Sequence, residues 1–223
     1  MNVRLATALL LIVLPIVFIA INLLLRKMFE YPDILRKPAG EVLNRYNSGG
    51  SRLVGLWYAY TLTALLFIPV AVLLPRLLVA DNPAFFGMMA TLGVLAGLTQ
   101  ALGLMRWSFL VPHLARLYTR PEASQTSREA VEVTFQAFHR YLGVALGEHL
   151  GYLITSGWIA LIAYRIILRS QIAWFGWIGL LIALGILAGA LEPVGFKPAG
   201  KVNAIAYLLW SLWLVALGVI LLM

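Results

Sequence analysis

The chain has 223 residues, of which 62% are hydrophobic and only 12% charged, and its mean hydropathy is +0.91. A soluble domain carries roughly 25% charged residues, and a fold of this size leaves too much surface facing water to hide so many apolar side chains. Soluble enzyme, secreted module and disordered protein are excluded; the chain reads as an all-α integral membrane protein. The absence of cysteine removes disulfides, thiolate metal sites, covalent c-type haem attachment and thiol catalysis. The net charge of +8 points to the lipid bilayer and not to nucleic acid, because Lys and Arg sit between the apolar runs, where lipid headgroups lie.

Crossing a hydrocarbon core of about 30 Å takes about 20 apolar residues. Six stretches qualify in a single polytopic domain over 1–223: about 5–25, 53–74, 84–105, 141–164, 172–191 and 203–222. The first follows Arg4 but is about twice the length of a signal-peptide core and has no small-residue cleavage site before Asn22, so it reads as an uncleaved span. The 26–52 loop alternates Phe29, Tyr31, Ile34, Leu35, Val42, Leu43 and Tyr46 with basic residues. That pattern predicts an amphipathic segment on the inner leaflet, broken by Pro32, Pro38 and Gly49-Gly50. After the third span Pro112 is expected to interrupt the helix, leaving His113–Tyr118 as a short surface helix.

Thr126 and Glu129 have capping-box spacing. A continuous helix from there to about 168 would measure roughly 60 Å, twice the membrane core. Its first turns must overhang the cytoplasm, displaying Arg128, Glu129, Glu132, Gln136, His139 and Arg140. The N-terminus, the loops at 75–83 and 165–170 and the C-terminus carry four positive residues: Arg4, Arg76, Arg165 and Arg169. The loops at 26–52, 106–140 and 192–202 carry thirteen. That bias predicts both termini outside, periplasmic in a bacterial cytoplasmic (inner) membrane. The two halves show no duplication, which weakens an inverted-repeat transporter.

Glu148 and His149 carry the strongest chemical signal. They lie roughly 12–14 Å past the cytoplasmic edge of the fourth span, where a charge without a partner costs at least ~2.5 kcal/mol. Adjacent helical residues diverge by about 100° and cannot pair with each other, so each needs a partner on another span. Gln100, Tyr58, Tyr60, Thr61, Thr63, Asn203 and Tyr207 lie at comparable depth. Tyr141, Glu148, Tyr152 and Thr155 follow an i, i+7, i+11, i+14 stripe. A candidate ligand pocket therefore comprises Glu148, His149, Tyr152, Gln100, Tyr60 and Tyr141. The bland alternative is an interhelical hydrogen-bond network.

Gly143, Gly147 and Gly151 form GxxxGxxxG, with further pairs at Gly93/Gly97 and Gly185/Gly189, and the usual meaning is close helix packing. Arg106, Trp107 and Arg116 could grip a phosphate or lipid headgroup; the simpler reading is an interfacial anchor, with Arg at the headgroups and Trp in the aromatic belt. His113, His139 and His149 could supply imidazoles to b-type haem or a metal, although His139 and His149 are about 15 Å apart along one helix and cannot share an iron. No Ser-His-Asp arrangement, P-loop or dinucleotide fingerprint is present.

Several stretches carry a family resemblance: FEYPDILR at 29–36, Gly49-Gly50, Trp57, RWSFLVP at 106–112 and FQAFHRYLGVALGEHLGY at 135–152. They resemble bacterial polytopic membrane proteins of the domain-of-unknown-function 4386 type, over most of the chain. The resemblance implies a bacterial inner-membrane location and supplies no activity, cofactor or catalytic residue. The residues themselves favour a non-enzymatic protein whose Glu148/His149 pocket takes a small ligand, lipid or proton. The alternatives are an accessory subunit or assembly factor docking into a larger membrane complex or homo-oligomer, a haem-binding redox protein, and a small transporter.

Overall fold

The computed structural model describes residues 2–79, 82–168 and 170–223, and no strand occurs among them. Arg169, counted above, lies outside the described residues. Helix α1 spans Val3–Phe29, α2 Ala39–Leu78 and α3 Pro83–Tyr118. Helix α4 (Gln125–Phe138) runs through a π-helical segment, His139–Leu150, into α5 (Gly151–Leu168). Helix α6 (Ala173–Ala188) continues as a 3-10 turn, Gly189–Val194, and α7 spans Ala199–Leu222. Among the described residues, six rods are long and apolar enough to cross a membrane, counting Gln125–Leu168 as one rod of 44 residues. Each packs against its sequence neighbours, and α7 returns against α1 to close a ring.

Among the described residues the interior divides into two apolar cores. At the end holding the chain termini, Phe67, Leu74, Met89, Trp158, Ile162 and Trp213 belong to one buried cluster. At the other end, called here the loop end, Phe29, Leu43, Tyr46, Trp57, Trp107 and Phe135 belong to the second. The Trp57 and Trp107 rings stack there at 4.7 Å and 13°, with Phe29 edge-on to both. Within hydrocarbon, lipid tails are as apolar as the side chains, so close packing and hydrogen bonds hold helices together in place of water exclusion.

Several sequence expectations are corrected at the loop end. The apolar side of the 26–52 stretch is turned into the bundle. Helix α1 runs on to Phe29, a 3-10 turn follows at Asp33–Arg36, and α2 starts at Ala39. Val42, Leu43 and Tyr46 are almost fully buried, because their apolar stripe matches the aromatic face of the bundle. Glu30 anchors the turn through Lys37 at 3.2 Å and Arg45 at 3.3 Å, and Lys37 also meets Glu41 at 2.7 Å. Those bonds from Glu41 and Glu30 raise the Lys37 pKa. Pro112 does not end α3, which continues to Tyr118 with Pro112 buried inside it; a proline removes one hydrogen bond, and the packing of Val111, Leu114 and Ala115 carries the helix past it. The cap of α4 is Ser124, whose side chain accepts the Ser127 N–H, and not Thr126. Of the displayed turns, Arg128 lies over the Tyr118 ring and Glu132 accepts the Tyr118 hydroxyl at 2.8 Å.

Helix α2 bends at Gly50, whose φ of 55° and ψ of −155° fall in a region essentially restricted to glycine. A side chain there would meet nothing within 4 Å, so the restriction is purely torsional. Gly50→Ala is expected to cost about 1–3 kcal/mol and to lower the thermal midpoint in detergent. Gly55→Ala, also open and on the helical stretch beyond the bend, should leave the midpoint unchanged or raise it slightly. Equal midpoints would show that the bend does not depend on the glycine torsion.

Candidate functional site

The glycines of the fourth rod bring it unusually close to α3. A Cβ built on Gly147 would stand 3.1 Å from the Gly103 Cα, and one on Gly103 2.7 Å from the Gly147 Cα. No side chain fits this crossing, so the backbones meet directly. Arg106 lies three residues beyond Gly103 on α3, and its guanidinium lies against Gly143, where a Cβ would stand 2.5 Å from Nη2. Arg106 is 7% exposed and Trp107 1%. Both face the protein interior, which corrects the interfacial-anchor reading: the vacant glycine face leaves room for a guanidinium inside the bundle. Arg116, on the last turn of the same helix, is exposed.

The Arg106 guanidinium donates through Nη1 to the Gly103 carbonyl and through Nη2 to His139 Nδ1 at 3.5 Å. Its Cζ stands 5.2 Å from the Trp107 ring centroid, in the range of cation–π attraction. Accepting from Arg106 requires His139 to be neutral, with its proton on Nε2. The imidazole is stacked on Phe135 at 5.7 Å. Arg106 Nε is buried without a hydrogen-bond partner, and among the described residues no carboxylate stands within ion-pair distance of the guanidinium. Glu148 lies close enough for the two charges to act on each other but does not touch it.

A polar column continues inward from this pair. Tyr31, in the turn after α1, packs edge-on to Trp57 at 5.1 Å and feels the charges of both Glu148 and Arg106. Burial, with Glu148 adding to it, pushes the Tyr31 phenol up to about 12, so it remains a neutral hydroxyl at physiological pH. Deeper in, Tyr152 and Tyr207 place their rings 5.7 Å apart. Gln100 Nε2 donates to Thr155 Oγ1 at 3.0 Å and to Tyr207 Oη at 3.5 Å. Tyr60 is stacked on Phe18 at 4.8 Å and accepts from Asn22 at 3.3 Å. Asn203 instead ties α7 to the Ile186 carbonyl at 2.9 Å. Thr61 and Thr63 bond back to their own helix, and Tyr58 is exposed.

Of the sequence-nominated residues, the fold gathers Glu148, Tyr152 and Gln100 into this column, with Thr155 and Tyr207. Tyr141 leaves the stripe and is 63% exposed, because the i→i+5 ladder of the π segment winds more loosely than an α-helix. Residues i and i+7 then no longer share a face. His149 is half-buried with Nδ1 unpartnered, His113 is exposed, and no cluster of three metal-ligating side chains occurs among the described residues. Tyr31 gave no signal of a site in the sequence: it is one aromatic in a proline-bounded turn, and only the fold brings it within reach of the charges on Glu148 and Arg106.

The contact between Gly143 and Arg106 gives a double-mutant test. Gly143→Ala should destabilise the protein by about 1–3 kcal/mol through overpacking, since the guanidinium is held on its other sides by the Gly103 carbonyl and Trp107. Combined with Arg106→Ala, the same substitution should cost much less. Additive losses in thermal unfolding would show that the two residues do not share this contact.

No curated protein and no solved structure matches the chain. The family model described as a domain of unknown function (DUF4386) matches residues 6–222, and with nearly its whole length covered, this all-helical, six-span membrane protein belongs to that family.

Proposed function

We propose that the protein is a binding protein and not an enzyme, and that its ligand sits between Arg106 and Glu148 at the loop end of the bundle. The observation that carries this reading is the failure of these two groups to pair. An intramembrane charge costs about 2.5–3.5 kcal/mol or more, and a purely structural arginine would close on the nearby carboxylate. Here the guanidinium keeps Nε unpartnered, and Glu148 stands apart from it. The complementary occupant is small and carries an anionic group for Arg106 and a hydrogen-bond donor for Glu148, either as a free solute or as a lipid headgroup. The column ends on the apolar cluster around Trp158 and Phe67, which supports capture at one end over passage through the ring. In the orientation favoured by the positive-residue bias, the loop end faces the cytoplasm.

Thermal unfolding of the purified protein with three soluble probes tests the site. Phosphoethanolamine should raise the wild-type midpoint more than inorganic phosphate, and ethanolamine should have the smallest effect. Arg106→Gln should abolish the phosphate response, and Glu148→Gln should reduce phosphoethanolamine to the level of phosphate. Wild-type protein indifferent to all three probes, or variants that respond like wild type, would remove this reading. Orientation is checked separately: a reporter fused after Met223 should be active only on the periplasmic side, and cytoplasmic activity would place the pocket in the outer half.

A further inference from the structure

The turn between α6 and α7 has a surface unlike the rest of the loop end. It starts as the 3-10 turn Gly189–Val194, passes through Gly195 at a φ of 93°, and enters α7 at Ala199. Backbone bonds close it on itself. The Gly195 N–H donates to the Glu192 carbonyl at 3.0 Å, Phe196 to Leu191 at 3.3 Å and Ala199 to Phe196 at 3.0 Å. So short a loop leaves its large apolar side chains outside. Val194 is 78% exposed and Phe196 47%, and Leu191 and Val202 on either side of them are exposed as well. Among the described residues, the two other loop-end turns, 30–38 and 119–124, expose no large apolar side chain.

Two cations accompany these residues. Lys197 and Lys201 are exposed, and neither has an ion-pair partner among the described residues. Lys201 sits in the first turn of α7, the end of a helix that disfavours positive charge, so helix stability gives no reason for it. The one carboxylate in the stretch 189–202 is Glu192, and it turns back onto the same helix end. Its oxygens stand 3.3 and 3.6 Å from where a Gly200 Cβ would be. A negative charge is favoured there, and the start of α7 has no side-chain cap of its own. The outer surface of the turn is therefore apolar and basic. It also continues the lipid-facing surface of the bundle. Residues 173–191 and 203–223 include no charged side chain, and exposed Leu187, Ile205 and Leu208 lead up to the turn on both helices.

We infer that this turn is seated in the headgroup layer of the leaflet at the loop end, with Val194 and Phe196 at the boundary of the acyl chains and Lys197 and Lys201 on the phosphates of anionic lipids. An aliphatic and aromatic tip flanked by lysines matches a surface that is hydrocarbon on its inner side and negative on its outer side. Lysine suits the place, because its apolar stem lies along the acyl boundary while the ammonium reaches out to the phosphates. A soluble protein could also cover apolar side chains. The turn, however, is the direct continuation of two membrane-crossing rods, which puts the leaflet around it. The leaflet contact expected of 26–52 in the sequence thereby falls to 189–202. This surface stands independently of the Arg106–Glu148 reading.

The test uses the full-length protein in lipid nanodiscs. The chain has no cysteine, so Val194→Cys can carry a nitroxide at the tip of the turn. Glu122→Cys, exposed in the turn before α4, carries the reference label. Collisions with oxygen report apolar surroundings, and collisions with a water-soluble nickel chelate report water. In nanodiscs containing phosphatidylglycerol, the label at 194 should show a several-fold higher oxygen-to-nickel ratio than the label at 122. Lys197→Gln and Lys201→Gln should each lower the ratio at 194 there, by up to about fivefold. In pure phosphatidylcholine the ratio at 194 should be lower from the start and indifferent to both substitutions. Thermal unfolding of the labelled variants establishes that they are folded. Equal ratios at 194 and 122 would place the turn in water and leave its apolar tip to a soluble protein. A high ratio that neither lipid charge nor the lysine substitutions change would mean insertion without recognition of anionic lipid. Either result overturns the proposal.

Discussion

The backbone crossing of Gly103 with Gly147 is the constraint on which the loop end of this protein depends. Two helices can approach this closely only where neither carries a side chain, and the distances leave no room even for a methyl group. Once the crossing is set, the next turn of α3 must lie against Gly143, and the residue at that turn is Arg106. The arginine is therefore brought inside by glycine packing, and its environment follows from that: a carbonyl at Gly103, an imidazole at His139 and the face of Trp107. The π-helical geometry of His139–Leu150 belongs to the same arrangement. Loosening the ladder changes which side chains share a face, sending Tyr141 outward and keeping Glu148 in line with Tyr152 and Thr155.

The interior that results is unevenly polar. Hydroxyls such as Thr61, Thr99 and Ser156 are consumed by their own helices, as expected where no water competes for backbone groups. The buried polar atoms left without a hydrogen bond are scattered, among them Trp57 Nε1, Ser108 Oγ, Arg106 Nε, His149 Nδ1 and Trp158 Nε1. Arg106 and Glu148 lie near the loops within reach of each other's charge, and Trp210 and Gln100 line a deeper cavity. Gln100 belongs to both regions, since its amide nitrogen closes the polar column through Thr155 and Tyr207 and its side chain lines the cavity. The placement of the charged pair near the loops and of uncharged polar groups deeper in the bundle follows the rising cost of charge with depth in hydrocarbon.

Most of the architecture was legible in the sequence because membrane spanning is a constraint on length and composition. The six apolar stretches, the long fourth rod and the glycine motifs follow from spacing alone. The loop end was less legible. An amphipathic stretch such as 39–49 has the same pattern whether it lies on a leaflet or packs onto a bundle. The choice was made by Trp57, Trp107 and Phe29, which offer its apolar face an aromatic partner. Arg106-Trp107 was misread for a related reason: Arg beside Trp is the signature of a membrane interface, and only the distant glycines at 143 and 147 provide an interior place for it. Glu148, Tyr152 and Gln100 were legible as costly polar residues at matching depth, whereas Tyr31 and the departure of Tyr141 depend on turn and π-helix geometry that spacing does not encode.

The dead end of the polar column bears on function more than any single residue in it does. A pathway across the bilayer needs polar or hydrated surface along its length, and here the half nearest the termini is filled by Met89, Ile162, Trp158, Phe67 and Trp213. Opening that half would separate the edge-on contact of Phe67 with Trp158 and the stacked pair Phe175–Trp213 at 5.1 Å. It would also break the bond from the Trp213 indole to the Phe175 carbonyl at 3.1 Å. Aromatic pairs contribute about 0.5–1.5 kcal/mol each beyond the area they bury, and a broken backbone-directed bond within hydrocarbon has no water to replace it. In the closed ring these costs fall on any route to the terminal end. If the proposed Arg106–Glu148 site is occupied, this packing makes it a binding site at one end of the bundle and not a step on a path across it.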